Sequence, residues 1–203
     1  MKNTIWLLFI LVSALSCTTA DKDYSTKIEN ERIAKDSSFL VLAKSPLNQL
    51  QIERFAGLEY FPVDVEYKVS ARLIPRDTVE VVKMKTSTDR LPDYRIYGQI
   101  HFSLQGHDYE LTAFQNLNLS NDSTLKNLLF VPFTDKNSNI TTYGGGRYLD
   151  IPLPKTETFL LDFNLAYNPY CAYNHRWSCV IPPSQNSLDV AINAGEKSFS
   201  DIQ

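Results

Sequence analysis

The chain has 203 residues, of which 43% are hydrophobic, 12% aromatic and 21% charged. That is the composition of a globular protein with enough Tyr, Phe and Trp to build a core, and it excludes wholesale disorder. A formal net charge of -3 argues against a nucleic-acid partner, and three Cys are too few for a disulfide-dense scaffold.

The N-terminus reads as a sorting signal. Lys2 precedes an almost continuous apolar run from Ile5 to Leu15, broken by Ser13. The run is too short to span a bilayer as a helix but fits the core of a signal peptide. Ala14-Leu15-Ser16-Cys17 resembles a bacterial lipobox, in which the Cys is acylated and becomes the first residue after cleavage. An ordinary cleaved secretory signal with an incidental Cys17 is the competing reading. The expected organisation is a signal peptide at 1–16, a lipid-anchored tether at 17–27, and a single β-rich domain with an N-terminal helix at 28–203. Such a protein belongs in the bacterial cell envelope, held by its lipid on the periplasmic or surface face of a membrane.

Residues 18–27 are polar and charged, as a solvated tether would be. From Ile28 to Ala43 good helix formers dominate, with a thin apolar face of Ile28, Ile33, Phe39 and Leu40, and the pattern stops ahead of Pro46. Period-two alternation follows. Tyr67, Val69, Ala71 and Leu73 share one parity; Ile96, Ile100, Phe102 and Leu104 another; Tyr109, Leu111 and Ala113 a third. This is the pattern of half-buried antiparallel strands, with Gln105-Gly106-His107 as a hairpin turn. Val79–Lys85, Leu128–Phe133, Phe159–Phe163 and Leu188–Asn193 are further strand candidates. The expected fold is all-β, a mainly antiparallel sandwich or barrel of about seven or eight strands, with one N-terminal helix.

Two stretches concentrate unusual residues. In the first, Gly144-Gly145-Gly146 precedes Arg147-Tyr148-Leu149. Successive glycines permit positive φ and close backbone approach, which suits a sharp corner entering a strand; the same backbone can also cradle an anion. No Lys-Ser/Thr or helix follows, so this is not a phosphate loop. Arg147 is either half of a structural pair with Asp135 or Asp162, or a fork for a carboxylate or phosphate ligand. The second stretch, Leu161 to Pro183, is dense in Asn, Tyr and Pro and contains Cys171, His175 and Cys179. A disulfide between Cys171 and Cys179 is the preferred reading in an oxidising envelope. A metal site with His175, a catalytic thiol beside it, and two packed thiols are the alternatives. Asn164, Asn168 and Asn186 suit either ligand contacts or the satisfaction of loop backbone. No metal site is expected, and no cofactor fingerprint is present.

The chain resembles the bacterial family of secreted or lipoprotein domains called domain of unknown function 1684. The likeness rests on Phe133-Thr134-Asp135, on Thr142-Tyr143-Gly144-Gly145-Gly146-Arg147-Tyr148-Leu149, and on Leu161-Asp162-Phe163-Asn164. It continues through Ala166-Tyr167-Asn168-Pro169-Tyr170-Cys171-Ala172-Tyr173, Cys179, Pro182-Pro183, Asn186 and Ala194-Gly195-Glu196-Lys197, with Gly57-Leu58 and Tyr60-Phe61-Pro62 upstream. The resemblance implies a β-rich envelope protein and brings no activity. From the residues themselves, a tethered module that binds a small molecule or glycan is the leading expectation. Its ligand-binding candidates are Asp135, Tyr143, Arg147, Asp162, Asn164, Asn168, His175, Asn186 and Glu196, with Tyr148, Tyr167, Tyr173 and Trp177 as further pocket-wall rings. A hydrolase using Asp135, Asp162, Glu196 or His175 is the alternative, and a structural lipoprotein acting through protein partners a third.

Overall fold

A computed structural model describes residues 5–43, 45–117 and 127–200, with side chains from Thr19 onward. The Cys17 thiol, where lipidation is expected, lies outside the described side chains. Six strands form one sheet: β1 (Lys68–Lys83), β2 (Asp93–Leu104), β3 (His107–Asn116), β4 (Leu128–Phe133), β5 (Arg147–Pro152) and β6 (Thr158–Asp162). Every pairing is antiparallel, in the order β5-β4-β3-β2-β1-β6. The sheet curls into a half-barrel with one main helix, α1 (Ile5–Phe39), so the β-rich class with an N-terminal helix holds.

α1 is longer than the sequence suggests. It runs through the stretch expected as a solvated tether, because no Gly or Pro interrupts the chain before Pro46. Its docked face also differs from the expected one. Ile28, Arg32 and Phe39 are buried, with Lys35 on the same face, whereas Ile33 (62%) and Leu40 (53%) remain exposed. Even the expected tether touches the barrel: the Tyr24 hydroxyl donates to Asp162 Oδ2 at 2.6 Å.

The two differences in strand count have local causes. Val79–Lys83 continues β1 rather than opening a new strand, after a register shift between Pro75 and Glu80. Residues 188–193 alternate in burial but join no ladder, and they enter the barrel interior with Leu188, Val190 and Ile192 buried. A short helix, α2 (Gln49–Arg54), begins at a capping box formed by Asn48 and Gln51.

The sheet carries apolar clusters on both faces. Inside lie Ile100, Phe102, Leu111, Leu129, Val131 and Leu149, covered by Phe163 and the C-terminal segment. A second cluster holds Tyr94, Ile96, Phe114, Tyr148 and Val180. A bulge at Tyr97 divides the two: Ile96 pairs with Phe114, but Gly98 pairs with the adjacent Ala113. Since Ala113 and Phe114 point to opposite faces, so do Ile96 and Ile100, and the expectation that they share a face is corrected. Gly98 fits here because a Cβ would lie 2.3 Å from the Ile74 carbonyl oxygen on β1.

Candidate functional site

The glycine run makes a corner. Gly146 has φ +84, and a Cβ there would lie 2.5 Å from Phe133 O and 2.7 Å from Pro182 Cγ. The chain then enters β5 at Arg147, whose side chain is 1% exposed. Arg147 Nη2 donates to Asp135 Oδ2 at 3.3 Å and to Ile192 O at 3.0 Å; Nη1 donates to Ala194 O and to Glu196 O. Asp135 Oδ2 also accepts from Ile192 N at 2.8 Å. The pair therefore binds the backbone of the C-terminal segment, and Asp162 is not its partner. Asp162 instead caps the 3-10 turn Phe163–Leu165 through Asn164 N.

The outer face of β4 and β5 opens into a cleft of about 580 Å³. Phe130, Tyr148 and Asp150 supply its floor, Tyr94 and Arg90 one side, Lys35 and Phe39 of α1 another, and Tyr170, Trp177 and Cys179 the end. Aromatic rings brace one another across it. Tyr148 meets Phe130 edge-on at 4.7 Å and Tyr167 at 5.8 Å. A two-way backbone bridge between Tyr148 and Tyr167 ties the segment after β6 to the β5 edge. The polar groups are few and fixed. Tyr167 donates to Asp150 Oδ2 at 2.7 Å, Asn116 Nδ2 to Tyr94 Oη at 3.0 Å, and Arg90 to Ser178 Oγ and O at 3.0 and 2.8 Å. Asp150 stays exposed in the open cleft, and partial loss of hydration against the surrounding walls raises its pKa, an effect opposed by the Tyr167 bond and by Lys35.

Lys35 connects the cleft to the buried interior. Its ammonium pairs with Glu196, which is 1% exposed, and lies 5.0 Å from the Tyr167 ring centroid. Glu196 Oε2 also accepts from Asn168 N at 2.8 Å and from the Tyr173 hydroxyl, whose pKa is driven up by burial and by that carboxylate. Beyond Lys35 is a smaller cavity of about 200 Å³ between α1 and residues 164–167. Arg32 Nε and Nη2 and the Tyr60 hydroxyl are buried beside it without a protein hydrogen-bond partner among the described residues.

At the end of the cleft the two Cys are free thiols, so the expected disulfide is not formed in this structure. The Cys171 N–H donates to Cys179 Sγ at 3.0 Å, and the Tyr143 hydroxyl lies 3.6 Å from Cys171 Sγ. The two neighbouring thiols push each other's pKa apart, the Cys171 thiol down and the Cys179 thiol up. His175 is exposed, and no cluster of three or more His, Cys, Asp or Glu suited to a metal is found among the described residues.

The family model "Protein of unknown function (DUF1684)" matches residues 53–197. The chain belongs to the DUF1684 family. It is also similar to the solution NMR structure of an uncharacterised protein from locus rrnAC0354 of Haloarcula marismortui. The two share 35% identity, with a TM-score of 0.68, over 91% of this chain and 98% of that one. No curated protein matches the chain.

Within the DUF1684 domain, the motif residues mostly hold the chain together. Asn164 exchanges two bonds with the backbone of Asp64, at 2.7 and 2.9 Å. Asn186 bridges Thr112 and Pro132 beside the Phe114–Phe130 pair that joins β3 to β4. Asn168 donates to Lys197 O at 2.7 Å. Of the ligand-binding candidates none lines the larger cleft, while Asn164 and Glu196 line the smaller cavity. The carboxylates named for hydrolysis are already engaged: Asp135 with Arg147, Glu196 with Lys35, Asp162 with Tyr24. The expected wall rings Tyr148, Tyr167 and Trp177 do line the larger cleft, but Lys35, Arg90, Tyr94, Asn116 and Asp150 went unrecognised. Their only signal was polar or aromatic character at strand ends and on a helix face, which spacing alone does not distinguish from surface.

Proposed function

We propose that this DUF1684 protein is an envelope lipoprotein, acylated at Cys17, whose β domain binds a small ring-bearing polar molecule such as a glycan unit in the 580 Å³ cleft. One observation carries the binding reading: aromatic walls enclose a few fixed polar groups, Asp150, Tyr167, Asn116 and Arg90, on one concave surface. Apolar enclosure supplies ring contact, and the polar groups select hydroxyl or anionic substituents. The volume lies within the range of ligand pockets, roughly 300–1,000 Å³. The lipobox-like Ala14-Leu15-Ser16-Cys17 supports the anchor. Among the described residues no helix is long and apolar enough to cross a membrane.

A thermal-shift screen against mono- and disaccharides and anionic ring compounds tests the binding reading. A ligand raises the melting temperature with concentration. Asp150→Asn and Arg90→Ala should each weaken a hit by about tenfold or more, because a hydrogen bond to a charged group contributes about 1.5–3 kcal/mol. A hit indifferent to both substitutions argues against the cleft. Fatty-acid labelling that persists in Cys17→Ser argues against the anchor.

A further inference from the structure

Cys171 and Cys179 lie against each other, and Cys179 faces the cleft. We propose that they form a reversible dithiol–disulfide couple, oxidised through Cys179 by exchange with an external disulfide. This inference does not depend on what the cleft binds.

Three observations support it. First, the two residues meet: both thiols are buried, and the Cys171 N–H donates to Cys179 Sγ at 3.0 Å. Second, both sulfurs sit among polar hydrogens: the Cys171 N–H meets Cys179 Sγ, and the Tyr143 hydroxyl lies 3.6 Å from Cys171 Sγ. Third, the loop keeps its shape without a covalent link. Ser87 N donates to Cys179 O at 2.8 Å and Cys179 N to Ser87 Oγ at 3.1 Å. Trp177 Nε1 donates to Pro46 O at 2.9 Å, and Arg176 Nη2 to Leu47 O at 3.1 Å. The couple can therefore open and close with little rearrangement, as a catalytic or regulatory disulfide must and a purely structural one need not.

The exchange balances. Cys179 is the sulfur that lines the cleft, and on losing its proton to solvent it becomes the attacking thiolate. It attacks one sulfur of the external disulfide, whose S–S bond breaks; one thiolate leaves and takes up a proton, and a mixed disulfide remains on Cys179. Cys171 then gives up its proton and attacks Cys179 Sγ, expelling the second thiolate. Two protein thiols are oxidised, and one external disulfide is reduced to two thiols.

The test uses the full chain carrying Cys17→Ser, so that the pair is the sole source of thiols, equilibrated in buffers of varied reduced-to-oxidised glutathione ratio. Intact mass after alkylation reads the fraction closed. The proposal expects a single two-electron transition at an intermediate ratio, the same from either direction. A pair that stays alkylatable in excess oxidised glutathione overturns it. So does a bond that stays closed in excess reduced glutathione, which is a permanent cross-link. Added Cys171→Ser should accumulate glutathione on Cys179, whereas added Cys179→Ser should react several-fold more slowly at Cys171. Equal rates overturn the assignment of Cys179 as the entry sulfur. Should either single variant fail to fold, the titration of the intact pair still decides.

Discussion

Arg147 and Asp135 act on residues 192–196 as a neighbouring strand would. The guanidinium serves the carbonyls of Ile192, Ala194 and Glu196, and the carboxylate takes the Ile192 N–H. These groups would otherwise be buried without partners. Arg147→Ala leaves Asp135 charged, buried and unpaired, so it should cost about 3–5 kcal/mol in urea denaturation. A loss below about 1 kcal/mol, the scale of an exposed ion pair, contradicts the role. Arg147→Lys should not rescue it, since one ammonium cannot reproduce the planar fork. Asp150 predicts a pH dependence. Its pKa is raised in the fold, so the native state binds the proton more tightly than the unfolded chain. Stability therefore falls as pH rises from the ordinary carboxylate value through the raised one, and recovers as pH falls. Asp150→Asn should melt higher than the wild type at neutral pH, with the difference closing in acid. A wild type that melts higher at neutral pH contradicts this sign. The Arg147 alternatives were both stated from sequence, yet spacing does not reveal that three carbonyls from the far end of the chain converge on it.

Among the elements, strand parity was the most legible feature. Tyr67, Ala71 and Leu73 are buried on one face, and Leu111 and Ala113 on theirs, as alternation requires. The Tyr97 bulge was not legible, because β2 keeps the same residue parity on both sides of it while the face changes. That change of face is what gives Tyr94 and Ile96 to the outer cluster beside the cleft. Gly98→Ala is the direct check. Its Cβ would meet backbone rather than a flexible side chain, so it should cost about 1–3 kcal/mol in urea denaturation. A neutral result contradicts the close approach of β1. The helix outruns its expected length for a different reason. A polar stretch without Gly or Pro satisfies the description of a tether and of a helix equally well, and the docking of Tyr24, Ile28, Arg32 and Phe39 is tertiary information.

At the scale of the whole molecule, the half-barrel places its Gly, Arg and Asn motifs and its cleft on different structural tasks. The Gly corner, the Arg147–Asp135 pair and the Asn bridges lock the C-terminal segment inside. The cleft is assembled outside, from α1, the β4–β5 face and the Cys loop. The sequence was informative about the first task because it uses rare residue types in contiguous runs. The second uses single residues from segments more than a hundred positions apart, such as Lys35 and Tyr167, and no local pattern marks them. The central claim is that this outer cleft is the binding site. Mapping of amide and indole NMR shifts on titration with a ligand from the screen tests it most directly. Perturbations should centre on the Trp177 indole and the amides of Tyr148, Asp150 and Tyr167. Perturbations centred instead on the Gly144–Arg147 corner or on Arg32 and Tyr60, with those signals unmoved, contradict the account.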